Sequence, residues 1–326
     1  MKSNILITGT GSLIGQAIIK SINFSEIRDK ITLVGCDYFP NTVGSFWCDK
    51  NYVLPDLLNP LEIENWKNAI INIVMKSEVR IIFVGVDFEL AFFADLKAEL
   101  KEKYECTVIV SNKKVIEIGN DKYKTYEFLL EHGIRAPRTY LLEEMEDSKL
   151  DYPFILKPRN GARSRGVEIV KGVESYLNLY EKYKDKNYIA QELIGTCDTE
   201  YTCGILCWDG VCIDNIILKR VLKEGNTIYA EYSGNSETKI KEYIKCIGDA
   251  LKPYGSCNLQ LRTDKDGIPY LFEINPRFSG TTYMRALFGY NEVEFIICKI
   301  MGWKDTILNP KQGKVYRFFE ERLVME

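Results

Sequence analysis

Residues 258–282, NLQLRTDKDGIPYLFEINPRFSGTT, hold the polar pattern that says most about this chain. Two apolar stretches joined by a DKDG turn predict a pair of strands. Gln260 and Glu273 lie on this pair, and Asn275 follows Glu273 on the same strand face. Oxygen ligands gathered in this way suit Mg²⁺, which takes one or two carboxylates and completes its coordination with phosphates and water. Arg277 then provides a permanent cation suited to a transferring phosphoryl group.

A second pattern, basic and rich in small residues, lies about a hundred residues upstream. Lys157 ends the apolar strand of PFILKP and offers a fixed positive charge to phosphate oxygens. The loop NGARSRGV follows at once, and its small residues allow backbone N–H groups to converge on phosphates, with Ser164 and Arg165 as further donors. Each feature alone is also typical of an ordinary strand end or hairpin turn. Their adjacency favours phosphate binding.

Residues 188–202, YIAQELIGTCDTEYT, add a third part of the pattern. An apolar strand ends in Gln191-Glu192-Leu193-Ile194, and Glu200 opens the next strand. A purine ring needs apolar walls with a backbone donor and acceptor at its edge, and a carboxylate suits ribose hydroxyls. Because exposed acids are common at strand ends, a plain solvent-facing role is the alternative for Glu192 and Glu200.

The first 112 residues follow a different plan, in which short apolar strands alternate with amphipathic helices. This alternation predicts a parallel sheet in a Rossmann-like α/β domain. The glycines of ITGTGSLIGQ and Asp37 at the end of the second strand resemble a dinucleotide fingerprint, but the spacing G-x-G-x-x-x-G is one residue too long. We interpret these glycines as turn and packing residues, with an oxidoreductase as the alternative. The later segments predict two α+β lobes, residues 113–190 and 191–326.

In this order, the patterns resemble the ATP-grasp superfamily, and most closely the synthetase domains of carbamoyl-phosphate synthase large subunits. The resemblance covers almost the whole chain, and Q-x-R…E-I-N-P-R-F-S-G is its most specific motif. It implies a Rossmann-like preATP-grasp domain followed by a two-lobed ATP-grasp fold. It also implies an enzyme that uses ATP to join a small-molecule carboxylate to an amine, releasing ADP and phosphate after an acyl-phosphate intermediate.

The resemblance also implies a role for each matching residue. Lys122 and Lys157 would contact the phosphates, and Ser164, Arg165 and Gly166 would belong to the loop that closes over them. Gln191, Glu192, Leu193 and Ile194 would hold the adenine, and Glu200 the ribose. Gln260, Glu273 and Asn275 would bind two Mg²⁺ ions, with Mn²⁺ as a substitute. Arg277 would stabilise the acyl phosphate, beside Ser279 and Gly280 at the acceptor carboxylate. The loop departs from the family pattern at Ala162 and Arg163.

Composition limits the partners that we expect. Hydrophobic residues make up 46% and charged residues 27% of the 326 residues, and the net charge is −3. No basic block suggests nucleic-acid binding, and no apolar run approaches the roughly 20 residues that span a membrane. The ten cysteines form no CxxC pair and are expected to be small buried residues without disulfides. We expect a cytoplasmic protein, and base rates favour a homodimer.

Two other functions remain as alternatives. One alternative is phosphorylation of a carboxy substrate in the manner of carbamoyl-phosphate synthase, although with a single ATP-grasp unit the full two-phosphorylation synthase would need a second copy or a partner. The other is a nucleotide sensor without chemistry, which would have no need of the metal ligands and Arg277 together. Asp87 and Glu89, after a strand of the first domain, are candidates for holding an amine or hydroxyl of the substrate, and simple helix capping is the alternative for Asp87.

Overall fold

The computed structural model describes residues 2–145, 149–161, 165–234, 236–321 and 323. The chain divides into two compact units. The first consists of Met1–Lys113, Pro253–Cys257 and Pro276–Glu326, and the second consists of Lys114–Lys252 and Asn258–Asn275. The division into three domains at residues 112 and 190 remains a prediction.

The regular elements of the described residues are numbered in chain order. The strands are β1 Ser3–Thr8, β2 Ile31–Asp37, β3 Lys50–Val53, β4 Val79–Phe83, β5 Thr107–Ile109, β6 Thr139–Leu141, β7 Phe154–Pro158, β8 Glu168–Val170, β9 Tyr188–Glu192, β10 Glu200–Trp208, β11 Val211–Lys223, β12 Asn226–Tyr232, β13 Gly255–Thr263, β14 Pro269–Asn275 and β15 Gly313–Tyr316. The α-helices are α1 Leu13–Asn23, α2 Ile63–Lys76, α3 Leu90–Tyr104, α4 Lys113–Asn120, α5 Lys122–Glu131, α6 Val173–Tyr183, α7 Thr238–Leu251, α8 Thr282–Leu287 and α9 Glu292–Met301.

The first unit is built on a parallel sheet with the strand order β3-β2-β1-β4-β5. Its central strands are almost wholly apolar, and Ile5, Leu6 and Ile7 of β1 are fully buried, as expected for parallel strands covered on both faces. The predicted parallel sheet is confirmed. The edge strand β3 was not predicted, because KNYV lacks a buried apolar run.

The second unit contains two antiparallel sheets. The smaller has the order β6-β9-β7-β8, and the larger brings together β14, β13, β10, β11 and β12 in that order. The pairs β10/β11, β11/β12 and β13/β14 are antiparallel. The register of β13 and β14 places Gln260 opposite Glu273, which confirms the predicted pairing of these strands. Together with the parallel sheet, these sheets confirm the mixed α/β fold class.

One feature of the second unit contradicts the sequence-based expectation. The structure joins Cys207 and Cys212 by a disulfide across the β10/β11 hairpin, which turns at Asp209-Gly210. The prediction that all cysteines are unpaired was therefore wrong for these two. They are cross-strand partners on either side of a tight turn, which brings their Cα atoms to 4.1 Å.

No helix among the described residues combines the length and the apolar character needed to cross a membrane.

Candidate functional site

A cavity in the second unit is lined by residues from each of the three sequence patterns that predicted a nucleotide site, in residues 157–167, 188–202 and 258–282. The sequence-predicted residues that line it are Lys122, Lys157, Arg165, Gln191, Glu192, Ile194, Glu200, Gln260 and Glu273. Its remaining lining is apolar or cationic and includes Pro137, Ile155, Val167, Arg220, Leu222, Arg262, Tyr270 and Phe272. Apolar walls together with several cations suit a ligand that has both a flat apolar part and an anionic part.

Lys157 is the most deeply buried cation that was predicted for the site. It is the penultimate residue of β7, with 5% of its surface exposed, and its Nζ donates to Gln191 Oε1 at 2.7 Å. Gln191 in turn donates from Nε2 to Thr139 Oγ1 at 2.9 Å, so the acceptor is itself held in place. Burial, followed by repulsion from Lys122, lowers the pKa of Lys157 to about 7. A bound anion would reverse this shift.

Lys122 begins α5 beside the phosphate-loop segment. Its backbone N–H donates to Arg159 O at 3.1 Å, and its Nζ donates to Gly161 O at 3.0 Å. Burial lowers the pKa of Lys122, and the nearby Glu273 opposes that shift. Its position between the loop and Glu273 is consistent with a phosphate contact. Ser164, Ala162 and Arg163 lie outside the described residues.

Gly166 occupies a position that requires glycine. Its φ is +73°, and an added Cβ would lie 2.6 Å from Tyr188 Oη and 3.1 Å from Pro158 Cγ. A side chain would therefore be both strained and crowded. Gly166 allows the loop to turn against β7 and β9 and does not itself line the described cavity.

Glu200 is the centre of a buried ionic network that the sequence did not reveal. Its Oε1 accepts from Arg220 Nη2 at 2.6 Å and Nε at 3.0 Å, and its Oε2 accepts from Arg262 Nη2 at 2.7 Å and Nε at 2.9 Å. Glu200 is 5% exposed and Arg220 7% exposed. Both carboxylate oxygens are thus engaged by guanidinium groups, and a ribose contact by Glu200 remains a prediction.

In the segment predicted to hold a purine edge, Glu192 is hydrogen-bonded to another residue of the protein, Arg138. The Glu192 N–H donates to Arg138 O at 2.8 Å, and the Glu192 carboxylate accepts from the Arg138 N–H at 3.0 Å and from Nη2 at 3.3 Å. Ile194 lines the cavity, whereas Leu193 is half-buried outside its described lining. The geometry therefore gives Ile194 a wall position and gives Glu192 a role in fixing Arg138.

The predicted metal ligands lie on adjacent strands. Asn275 Nδ2 donates to Glu273 Oε1 at 3.0 Å, so the two side chains are neighbours, and Glu273 lines the cavity. Gln260 Oε1 accepts from Arg220 Nη2 at 2.8 Å. Among the described residues, no three His, Cys, Asp or Glu side chains converge as a metal cluster. The donor set of one carboxylate and amide oxygens fits Mg²⁺ that shares its coordination with phosphates and water.

In the first unit, the predicted catalytic residue Arg277 forms an ion pair with Asp87. Arg277 Nε donates to Asp87 Oδ1 at 2.7 Å, and Nη1 donates to Phe278 O at 2.9 Å. The Arg277 side chain is 13% exposed and that of Asp87 47%. Two residues singled out from distant parts of the sequence are therefore in contact, and Asp87 orients the guanidinium.

Other predicted substrate residues of the first unit have local partners. Ser279 Oγ accepts from the Thr281 N–H at 3.1 Å just before α8, and Gly280 O accepts a hydrogen bond from Arg317. Glu89 is fully buried, with its carboxylate accepting from Thr8 Oγ1 and, at 2.7 Å, from the Tyr38 hydroxyl. A direct substrate contact would require Glu89 to give up one of these bonds. These three assignments remain predictions.

The glycine-rich turn after β1 is used for packing. An added Cβ on Gly15 would lie 2.2 Å from Gly9 O, and Gly9 has a φ of +58°. Asp37 Oδ2 accepts from the Gly11 N–H at 2.8 Å, and Oδ1 accepts from the Tyr38 N–H at 2.7 Å. These contacts confirm the interpretation of the glycines as turn and packing residues. Asp37 accepts hydrogen bonds from the glycine loop and from the residue that follows Asp37 itself.

Residues 119–281, half of the chain, match the ATP-grasp domain family. The chain therefore belongs to the ATP-grasp family, and the resemblance predicted from its motifs is confirmed.

Curated relatives and solved structures agree with this assignment. A carbamoyl-phosphate synthase of Methanobrevibacter smithii is 26% identical over 217 residues, covering 62% of this chain and 57% of that protein. D-alanine–D-alanine ligase A of Bacillus cereus is 28% identical over 183 residues, covering 51% and 60%. The L-amino acid ligase from Bacillus licheniformis has the same fold, with a TM-score of 0.71 at 18% identity over 95% of this chain and 78% of that one. The chain spans less than two thirds of these curated relatives.

Proposed function

We propose that the protein is an ATP-dependent carboxylate–amine ligase that forms an acyl phosphate and releases ADP and phosphate. The observation that carries this proposal is the cavity of the second unit, in which the buried Lys157 and the carboxylate of Glu273 line one space with apolar walls. A nucleoside triphosphate has the matching chemistry, since the faces of its base are flat and largely apolar and its phosphates bind cations. The names of the relatives, a carbamoyl-phosphate synthase and a D-alanine–D-alanine ligase, support the same reaction class.

The proposed chemistry has two displacements. A carboxylate oxygen of the substrate attacks the γ-phosphorus of ATP, the bond to ADP breaks, and Lys157 offsets the negative charge that is brought together. An amine nitrogen then attacks the acyl carbon, phosphate leaves with the C–O electron pair, and the nitrogen loses a proton. Arg277, oriented by Asp87, stabilises charge on the transferred phosphoryl group.

Glu273 and Asn275 would hold Mg²⁺, which neutralises phosphate charge and acts as a Lewis acid on the transferred group. The family resemblance predicts two ions, with Mn²⁺ as a substitute, and Gln260 as a further ligand. The same resemblance assigns the loop of Ser164, Arg165 and Gly166 to the phosphates. A homodimer and a cytoplasmic location complete the proposal.

The proposal is tested by incubating the protein with Mg-ATP and pooled carboxylates and amines, and by identifying the nucleotide product. We expect ADP and phosphate that depend on the pool and are lost in Arg277→Ala, while Arg80→Ala, which removes an exposed arginine of the same unit, keeps the product. AMP and pyrophosphate would contradict the acyl phosphate.

A second candidate, phosphorylation of a carboxy substrate without ligation, is favoured by the match to a carbamoyl-phosphate synthase. It predicts ADP formation with bicarbonate or a carboxylate in the absence of any amine, and where a carboxylate is the substrate, hydroxylamine should trap the product as a hydroxamate. Binding of Mg-ATP without turnover on any pool would instead favour a nucleotide sensor.

A further inference from the structure

The side chain of Gln260 is engaged at the atom that would have to bind a metal. Arg220 Nη2 donates to Gln260 Oε1 at 2.8 Å. A glutamine can ligate Mg²⁺ only through this carbonyl oxygen, because its amide nitrogen is a donor. The same Arg220 nitrogen also contacts Glu200 Oε1 at 2.6 Å, so the guanidinium is anchored from a second direction.

The charge around this contact is positive. Glu200 is shared between Arg220 and Arg262, so one carboxylate faces two guanidinium groups that do not lose their protons. The two guanidinium groups and the one carboxylate together have a formal net charge of about +1. Arg220 and Glu200 are almost fully buried, so solvent screens this charge weakly.

A divalent ion on Gln260 Oε1 would lie close to the Arg220 guanidinium, since both would contact one oxygen atom. Repulsion between two positive charges becomes stronger as their surroundings become less polar. Glu273 offers the opposite situation, because it is a carboxylate that lines the cavity and has Asn275 as its immediate neighbour. The hard oxygen of a carboxylate is the preferred Mg²⁺ ligand.

We infer that this chain binds one Mg²⁺ ion, at Glu273 and Asn275, and that Arg220 supplies at Gln260 the positive charge that a second ion would bring. This inference rests on the proposed nucleotide site and departs from the two ions that the family resemblance predicts. Gln260 is then a positioning residue, which fixes the Arg220 guanidinium at the cavity wall.

The test counts metal ions without requiring turnover. Mn²⁺ is titrated into the protein saturated with a β,γ-imido analogue of ATP, and free Mn²⁺ is measured by electron paramagnetic resonance. We expect one bound ion per wild-type complex and two in Arg220→Met, in which the Gln260 oxygen is released from its cationic partner. Two ions in the wild type would overturn the inference, and one ion in a folded Arg220→Met would overturn the role of Arg220.

A second variant keeps the test decisive if Arg220→Met does not fold. Gln260→Met retains the length of the side chain and removes the carbonyl oxygen. We expect one ion, bound within about twofold of the wild-type affinity, whereas Glu273→Gln should weaken Mn²⁺ binding at least tenfold. A tenfold loss in Gln260→Met would show that Gln260 is a ligand and overturn the inference. Failure of the ATP analogue to bind at all would overturn both the proposed function and the one-ion inference. Two ions in the wild type would overturn only the inference and leave the proposed function intact.

Discussion

The buried ammonium of Lys157 should make nucleotide binding depend on pH. In the free protein, burial and then the like charge of Lys122 lower the pKa of Lys157 to about 7. Phosphate anions near Nζ favour its charged form and raise the pKa again. The nucleotide therefore binds preferentially to the protonated protein, and above pH 7 binding takes up a proton.

The size of the effect follows from that pKa. If the complex stays protonated, the dissociation constant grows in proportion to one plus the ratio of neutral to charged Lys157. The affinity for Mg-ADP then falls roughly 50-fold between pH 7 and pH 9, and about nine tenths of a proton is taken up per ADP at pH 8. Below pH 6 the dependence on Lys157 disappears, because the group is already charged.

Isothermal titration calorimetry with Mg-ADP at pH 8, in two buffers of different ionisation enthalpy, measures this uptake. Lys157→Met should bind more weakly and show no uptake from this site, whereas Lys171→Met, which removes an exposed lysine, should match the wild type. No proton uptake in the wild type at pH 8 would refute a lowered pKa. Equal uptake in Lys157→Met would assign the proton to a different group and refute the reasoning as well.

Three further substitutions test the charge networks. Glu200→Gln should lower the free energy of unfolding by about 3–5 kcal/mol in urea denaturation, because two buried guanidinium groups lose their carboxylate, and a loss below about 1 kcal/mol would contradict this. Asp87→Asn should change stability by less than about 1 kcal/mol, since the pair is partly exposed, yet slow ADP formation about tenfold because Arg277 loses its charged partner. Unchanged kinetics would reject that orienting role. Burial raises the pKa of Glu89 to about 7, above the usual range, so its contribution to stability is present at low pH and lost as pH rises from about 4 to about 7. Glu89→Gln should therefore gain stability relative to the wild type between pH 5 and pH 8, by up to about 3 kcal/mol, and parallel pH profiles would argue against it.

The strands that carry the site were predictable because their chemistry is local. The pair of Gln260 and Glu273 follows from two apolar runs around a tight turn, and the structure places these residues opposite each other. The buried face of the helix α7 also follows from a local pattern, since Ile240, Ile244 and Ile247 repeat at the helical period and are buried.

The Glu200 network was not predictable, because it depends on sheet register. Arg220 stands between Lys219 and Val221 near the end of a long strand, and a basic pair there is usually solvent-facing. Only the pairing of β10 with β11, together with the position of Arg262 on β13, brings two arginines to one carboxylate. Residues matched to a family motif had an expected role, whereas Arg220 matched none.

Short elements with polar buried residues were also missed. The helix α8 has six residues, and it buries Thr282 and Arg285 where an apolar period would be sought. Arg285 is instead neutralised by Glu292 at 2.9 Å, with both side chains fully buried. When a helix buries an ion pair in this way, the spacing of its apolar residues does not predict which face is buried.

The transfer of an oxygen atom from substrate to phosphate tests the central claim most directly. A carboxylate found in the pooled assay is labelled with ¹⁸O and incubated with Mg-ATP, its amine partner and the protein, and the inorganic phosphate is analysed by mass spectrometry. An acyl-phosphate route predicts that each phosphate formed carries one ¹⁸O atom, because the bridging oxygen comes from the carboxylate. Unlabelled phosphate, or label appearing in AMP, would contradict it.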